Sequence, residues 1–215
     1  MTTFGGDTVD AYGNDMFQDL KNTMKKSCPI SLAPALTGYS YQAQDDPSKA
    51  ASRLISDWPS IDGYKNWQSW PLDRKANMTT EADEAFSSGL KKAGKTGPYI
   101  MTISPWQFKD WPGEGSWVQY SDTLWADRWS SLVGKNAFKP DIIEIVTWND
   151  WPESHYLRDL PELDNKSATD YTMLGDFQFY VEGQNHSPWR IMAKYYIAKI
   201  RGYKVKPSMD QVVFW

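Results

Sequence analysis

Short apolar runs alternate along the chain with stretches of helical periodicity. Four runs predict buried strands because they are rich in β-branched and aromatic residues: Thr2 to Phe4, Ile30 to Leu36, Tyr99 to Ser104 and Ile142 to Trp148. Apolar residues three or four positions apart predict four helices: Asp15 to Lys26, Thr80 to about Gly94, Asp122 to Leu132 and Pro188 to Arg201. This alternation predicts an α/β protein with a parallel sheet covered by helices.

Two long segments follow the carboxyl ends of predicted strands and are expected to be loops. Residues 37–78 and 105–120 are rich in Gly, Pro, Asp, Ser and Trp. Decorated loops at this end of the strands are where a (β/α) barrel builds its active site. Ten of the 12 tryptophans lie between Trp58 and Trp151. As a group they predict stacking surfaces for sugar rings, although packing of irregular loops is the alternative for any single one.

Composition narrows the classes of partner. The 215 residues are 40% hydrophobic and 23% charged, which fits one globular domain with a real core. The net charge of -4 and the lack of a Lys/Arg-rich run argue against nucleic acid or a membrane as partner. No run approaches the roughly 20 apolar residues of a membrane span, and MTTFGGDTVD lacks the pattern of a signal peptide. Cys28 is expected to be a buried, inert thiol.

A dense polar group follows the last predicted strand. Asn149, Asp150, Glu153, Ser154 and His155 come directly after a buried run. Asp150 and Glu153 are three residues apart, so a turn could aim both carboxylates into one pocket. Paired carboxylates are what glycoside hydrolysis requires, one as acid and one as base or nucleophile.

Other interpretations of these residues stay open at the level of spacing. Asp150 could cap a helix with Glu153 completing a capping box. His155 fits a hydrogen-bonding neighbour better than a metal ligand, since the chain has only two histidines. Asp7, after Gly5-Gly6, fits either a turn or the same end of a barrel. No metal site and no cofactor are predicted.

A series of motifs runs in order along nearly the whole chain. It comprises Asn66-Trp67 with Trp70-Pro71, Asn77 to Asp83, Ser104-Pro105-Trp106, Ser121 to Trp129, Glu144 to Asp150, Glu153-Ser-His-Tyr156 and Asp210 to Trp215. With these motifs the sequence resembles glycoside hydrolase family 71, the fungal α-1,3-glucanases often called mutanases. The resemblance implies a (β/α)8 TIM-barrel hydrolase that cleaves α-1,3-glucan with inversion, working outside the cell or in the cell wall, and we expect it to be a monomer.

The resemblance also assigns roles to residues. Asp150 and Glu153 occupy the positions of the two carboxyl groups, with Glu153 expected as general acid and Asp150 as base. The expected sugar-binding residues are Trp148, Asn149, His155, Tyr156, Trp106, Trp67, Trp70 and Asp7. The family usually has Gly between the carboxylates, where this chain has Trp151-Pro152. Because proline fixes φ at about -65°, it cannot replace a glycine with positive φ.

The resemblance begins at what looks like the family's fourth strand. Residues 1–215 are therefore expected to form one partial catalytic domain, an incomplete barrel covering the C-terminal strand-helix units, with the chain leading out from about residue 204. The alternative is a glucan-binding fragment or degenerate paralogue that keeps the aromatic loops without turnover.

Overall fold

The computed structural model describes residues 15–71, 77–111, 115–119, 122–160, 177–206, 209–210 and 212. In this part the helices are α1 (Asp15–Met24), α2 (Thr37–Gln42), α3 (Pro47–Asp57), α4 (Glu81–Lys92), α5 (Leu124–Ser130), α6 (Gln178–Val181) and α7 (Ser187–Ile200). The strands are β1 (Tyr64–Asn66), β2 (Tyr99–Ile103), β3 (Gln107–Trp111), β4 (Gly115–Gln119) and β5 (Ile142–Ile145). The mixed helix and strand class predicted from the sequence is confirmed.

The chain divides into two compact units. The first comprises Met1–Ser69, Thr79–Thr102 and Phe138–Glu144, and the second comprises Trp70–Met78, Ile103–Ala137 and Ile145–Trp215. The prediction of one domain over residues 1–215 stays a prediction. Among the described helices, none has the length and apolar character needed to cross a bilayer.

A parallel sheet with the strand order β1-β2-β5 organises the first unit. β1 and β2 pair in parallel with Tyr64 opposite Tyr99. β5 also runs parallel to β2, since Asp141 donates its N–H to Tyr99 and Val146 donates to Ile103, so that residue numbers rise together. The predicted strand from Ile30 to Leu36 is an extended segment beside β1: its Leu32 carbonyl accepts hydrogen bonds from the two residues before β1, and its Pro34 carbonyl accepts one from Lys65.

Helices α3 and α4 pack against each other through small and apolar side chains. α3 begins at Pro47 after Asp46, whose carboxylate accepts the N–H of Lys49 at 3.0 Å. In α4 the acidic residues of the first turn and the lysines of the last turn complement the helix dipole. The ring of Phe86 in α4 is fully buried and lies 4.5 Å from the ring of Tyr64 in β1, which fixes the helix against the sheet.

The second unit is built around aromatic residues. β3 and β4 form an antiparallel hairpin in which Gln107 pairs with Gln119. Trp125 of α5 lies 6.4 Å from Trp189 of α7, and Trp129 stacks on Tyr196. Trp125, Trp129 and Trp189 are at most 1% exposed, so they form the contact between the two helices.

Several sequence predictions need correction. Residues 37–78 are not one long loop, because they contain α2, α3 and β1, and residues 105–120 contain the β3–β4 hairpin. Of the nine tryptophans whose side chains the structure describes, six are buried in the core: Trp58, Trp70, Trp125, Trp129, Trp151 and Trp189. Cys28 is exposed. The predicted strand from Thr2 to Phe4 lies outside the described residues, and closure into a barrel stays a prediction.

Candidate functional site

The polar residues after β5 lie in a tight turn held by backbone hydrogen bonds. Thr147 donates its N–H to the carbonyl of His155 at 3.1 Å, and Leu157 donates back to the carbonyl of Thr147 at 3.0 Å. These two bonds bring the arms of the turn together, so that residues 148–154 form its tip. The left-handed conformation in this turn is adopted by Ser154, with φ of 59°. The turn therefore places a positive φ after Trp151-Pro152 and makes no such demand on the proline.

Asp150 is fixed within the turn by its own backbone contacts. Its N–H donates to the hydroxyl of Thr147 at 3.0 Å, and its Oδ1 accepts the N–H of Glu153 at 3.2 Å. This is the contact a capping residue makes, but residues 151–160 form turns and extended chain with no helix. The capping-box interpretation is therefore wrong, and the bond leaves Asp150 Oδ2 directed at His155.

Three side chains meet at the end of the turn. His155 Nε2 lies 3.4 Å from Asp150 Oδ2 and 3.3 Å from Glu153 Oε2. The nearest side-chain atoms of the three residues all lie within 4.8 Å of one another. The sequence prediction that Asp150 and Glu153 aim at one place is thus met by the geometry. A single imidazole nitrogen joins the two carboxylates.

Glu153 has two further partners that sequence reasoning missed. Lys109 Nζ donates to Glu153 Oε1 at 3.3 Å, and Gln107 Nε2 donates to Glu153 Oε2. Both partners belong to β3, in the segment 105–120 that was predicted to be a loop. The signal that could have found them is the alternation of Gln107 and Lys109 with aromatic residues, which is typical of a strand with one polar face.

The charges of this cluster shift two pKa values. Burial alone would raise the pKa of Glu153, but the hydrogen bonds and positive charges of His155 and Lys109 outweigh burial, and the pKa lies below its ordinary value of 4.5. Burial alone would lower the pKa of His155, but hydrogen bonds and charge attraction from Asp150 and Glu153 raise it above the ordinary 6.5. The cluster therefore favours the ionised form of Glu153 and the protonated form of His155.

A bound cation fits this cluster poorly. The spacing of Asp150, Glu153 and His155 is short enough for a metal, but the ammonium of Lys109 already lies beside Glu153 and would repel one. His155 Nε2 also serves both carboxylates as their hydrogen-bonding partner. We assign no metal to these residues.

Three of the expected sugar-binding residues form the buried support of the turn. His155, Tyr156 and Trp70 are between 0% and 4% exposed, and direct sugar contact by these three residues stays a prediction. The ring of Trp70 lies edge-on to His155 at 5.0 Å, and its indole N–H donates to the carbonyl of Pro105. The hydroxyl of Tyr156 donates to the carbonyl of Gln184 at 3.1 Å. These contacts stabilise the turn through its buried residues.

The remaining predicted residues differ in their surroundings. Trp148 is 61% exposed and stands with exposed Asn149 directly before Asp150. Trp106 is half-buried, with its ring edge-on to Trp189 at 6.0 Å. Trp67 belongs to the first unit, where the ammonium of Lys65 lies 5.0 Å from its ring. Asp7 lies outside the described residues.

Comparison with known proteins places the chain in a family. Residues 1–215 match the sequence model of glycosyl hydrolase family 71. The chain belongs to this family. The family resemblance predicted from the motifs is therefore confirmed.

Named fungal proteins are similar to this family 71 chain. A mutanase of Penicillium rubens is 31% identical over 98% of the chain and 43% of its own length. Glucan endo-1,3-alpha-glucosidase agn1 of Schizosaccharomyces pombe is 26% identical over 100% of the chain and 46% of its own length. The chain thus spans less than half the length of these relatives. No solved structure matches it.

Proposed function

We propose that this family 71 member hydrolyses α-1,3-glucan and that Asp150 and Glu153 are its pair of catalytic carboxyl groups. The observation that carries the proposal is the placement of both carboxylates on one imidazole nitrogen at the end of the turn after β5. The names of the relatives, a mutanase and a glucan endo-1,3-alpha-glucosidase, support the substrate. Two carboxyl groups are sufficient for hydrolysis of a glycosidic bond without a cofactor.

The surroundings of the two residues support roles opposite to those expected from the resemblance. Glu153 faces Lys109 and His155, which favour its charged form, so it is suited to accept a proton from water. Asp150, whose side chain is 37% exposed, is then proposed as the acid, a role that requires it to take up a proton before the sugar bond breaks. The water oxygen bonds to the anomeric carbon while the bond to the leaving oxygen breaks. The water proton passes to Glu153, and the leaving oxygen takes a proton from Asp150.

The stereochemical course is proposed as inversion. Inverting enzymes keep their carboxyl groups about 6.5–9.5 Å apart so that water fits beside the sugar. The nearest atoms of Asp150 and Glu153 are within 4.8 Å. This spacing is closer to the roughly 5 Å of retaining enzymes, so inversion requires the pair to separate when a sugar enters, and we expect the half-buried Asp150 to move. Proton NMR of the first product would show the β-anomer, and an initial α-anomer would contradict inversion.

Exposed aromatic and amide groups beside the pair are suited to bind the polymer. Trp148 offers an indole face on which the apolar C–H face of a glucose ring can stack, and Asn149 offers hydrogen bonds to its hydroxyls. Trp106 and Trp67 remain proposed sugar contacts. His155, Tyr156 and Trp70 support the turn.

Family membership supports a proposal for the larger setting of the site. We propose that the parallel β1-β2-β5 sheet with its helices belongs to a (β/α)8 barrel, with β5 carrying the site at its carboxyl end. Residues 1–215 are proposed to form one catalytic domain, working as a monomer outside the cell or in the cell wall. One similar protein, named ascus wall endo-1,3-alpha-glucanase, supports this location.

Incubation with insoluble α-1,3-glucan tests the proposed activity. Reducing ends should accumulate with the chain and fall by a factor of about 10³ or more with Asp150→Asn or Glu153→Gln. Asp45→Asn and Glu84→Gln make the same chemical changes at exposed positions and should leave the rate unchanged. Binding to the polymer with no released sugar would support the non-catalytic alternative and overturn the proposal, and so would full activity of both site variants.

A further inference from the structure

The carboxylate of Glu153 is held by a separate set of partners on each oxygen. Oε1 accepts a hydrogen bond from Lys109 at 3.3 Å, and Oε2 is shared by Gln107 and His155. Gln107 is 6% exposed and Lys109 is 8% exposed, so these donors are shielded from water. Both oxygens are thus fixed, and rotation of the carboxylate would break bonds on both sides.

The strand β3 explains why the two donors reach the same carboxylate. Gln107 and Lys109 are two residues apart in a strand, so their side chains project from the same face. The hairpin register pairs these positions with Gln119 and Trp117 of β4 and keeps β3 extended. Phe108, between them, donates its N–H to the carbonyl of Glu153 at 3.2 Å. β3 therefore holds Glu153 by its backbone and by both carboxylate oxygens.

The positive charge of Lys109 in β3 lies beside the negative charge of Glu153 in the turn. A buried lysine is costly unless an opposite charge lies beside it, and Glu153 supplies that charge at 3.3 Å. The other titratable groups around Glu153 are His155 and Asp150 in the turn, Asp110 next to Lys109, and Tyr180 of α6. Burial raises the pKa of Tyr180 to about 12, so Tyr180 is neutral, and among the described residues Lys109 and His155 supply the positive charge beside Glu153.

We propose that Gln107 and Lys109 are positioning residues that orient the Glu153 carboxylate and keep it ionised for the attack of water. The inference rests on the proposed function, because it assigns the control of a carboxylate taken to be catalytic. Neither residue donates or accepts the transferred proton. Gln107 fixes direction with a neutral amide, and Lys109 adds the charge.

The pH profile of hydrolysis by the full chain tests the role of Lys109. Lys109→Met keeps the length of the side chain and removes its charge, so the acidic limb of kcat should move to higher pH by about one unit. At a pH on that limb the rate should fall about tenfold, with KM changed by less than about threefold. Lys109→Arg should restore the limb. Lys91→Met, at an exposed position of α4, should not move it.

Gln107→Met separates orientation from charge. This variant keeps Lys109, so kcat should fall across the whole pH range while the acidic limb stays in place. An unchanged pH profile in Lys109→Met, or a loss that Lys109→Arg does not restore, would overturn the inference. Should Lys109→Met fail to fold, Lys109→Gln and Gln107→Met give the same comparison.

A titration that needs no turnover distinguishes failure of this inference from failure of the proposed function. Carbon NMR of labelled glutamate, with the Glu153 signal assigned from Glu153→Gln, should show its midpoint moving upward in Lys109→Met. If that midpoint moves but Glu153→Gln remains fully active, the ion pair exists and the catalytic assignment is wrong. If the midpoint does not move, Lys109 does not control Glu153.

Discussion

Asp83 is a buried carboxylate that joins helix α4 to the sheet of the first unit. It is 1% exposed, and its Oδ1 accepts the hydroxyl of Tyr99 at 2.6 Å and the side-chain amide of Asn66 at 3.3 Å. Tyr99 is 1% and Asn66 is 2% exposed, so water does not replace a lost partner easily. Removal of the carboxylate should therefore destabilise β1, β2 and α4 together.

The size of the effect follows from these contacts. A hydrogen bond to a charged acceptor contributes about 1.5–3 kcal/mol, and a buried donor left without an acceptor costs about 1–3 kcal/mol. Because the Asn66 contact is long, the Tyr99 bond dominates, and Asp83→Ala should lower the free energy of unfolding by about 3–5 kcal/mol. Asp83→Asn keeps an acceptor and the shape of the side chain, and should cost about 1–2 kcal/mol.

Urea unfolding followed by circular dichroism and tryptophan fluorescence measures this difference. Glu84→Ala is the matched control, because Glu84 is an exposed residue in the same first turn of α4. The substitution removes the same favourable interaction of a negative charge with the helix dipole. It should change stability by about 0.5 kcal/mol or less. Tyr99→Phe removes the main donor, so Asp83→Ala should cost less in that background. Equal losses for Asp83→Ala and Glu84→Ala, or no coupling to Tyr99, would refute the reasoning.

Three further predictions concern pH, binding and backbone packing. Because the pKa of His155 is raised in the folded protein, its protonation adds stability that is fully present below pH 6.5 and is lost as the pH rises through the pKa of the folded state. The melting temperature of the unchanged chain should therefore exceed that of His155→Gln most below pH 6.5. His186, whose pKa is lowered to about 4, has the opposite effect on stability in both proteins, so the difference between their melting temperatures is the quantity to measure. A difference that stays constant with pH would contradict the raised pKa of His155. Trp148→Ala should reduce the amount of protein bound to α-1,3-glucan about tenfold, with a change in melting temperature of about 2 °C or less. The control Tyr203→Ala removes another exposed aromatic ring and should leave binding unchanged. Equal losses of binding in the two variants would contradict the stacking role of Trp148. Gly63→Ala would place a Cβ 2.1 Å from the carbonyl oxygen of Pro98 and should lower the free energy of unfolding in urea by about 3 kcal/mol or more. Gly89→Ala meets a flexible Ile55 methyl at 3.1 Å and the Ala51 Cβ at an ordinary contact distance of 3.4 Å, and should cost less than about 1 kcal/mol.

The strands with continuous apolar sequences could be predicted from the chain. Tyr99–Ile103 is buried throughout, and its run of β-branched and aromatic residues indicates this without any partner. β1 has the sequence Tyr-Lys-Asn and could not be predicted in this way. Its Lys65 is buried because Glu144, on β5, lies 2.7 Å away, and its Asn66 is buried because Asp83 accepts its amide. Polar strand residues of this kind become stable only through partners distant in sequence.

The positions of the tryptophans could not be predicted from the sequence either. Their number suggested sugar-binding surfaces, but Trp125, Trp129 and Trp189 fill the contact between α5 and α7. Residue type gives the large apolar area of an indole ring, and only the packing decides whether that area faces a neighbour or solvent. Trp148 is exposed in the turn that carries Asp150 and Glu153, and nothing in its sequence neighbourhood distinguishes it from Trp151, which is 1% exposed.

The candidate site divides in the same way between sequence and tertiary structure. The three-residue spacing after a predicted strand determined that Asp150 and Glu153 would share a turn, because the local chain alone brings them together. Tertiary structure decided their electrostatic difference, since Lys109 and Gln107 reach Glu153 from a hairpin more than forty residues away in sequence. Local geometry is set by backbone spacing, but the charge state of a buried carboxylate depends on whichever groups the fold places within a few ångströms of it.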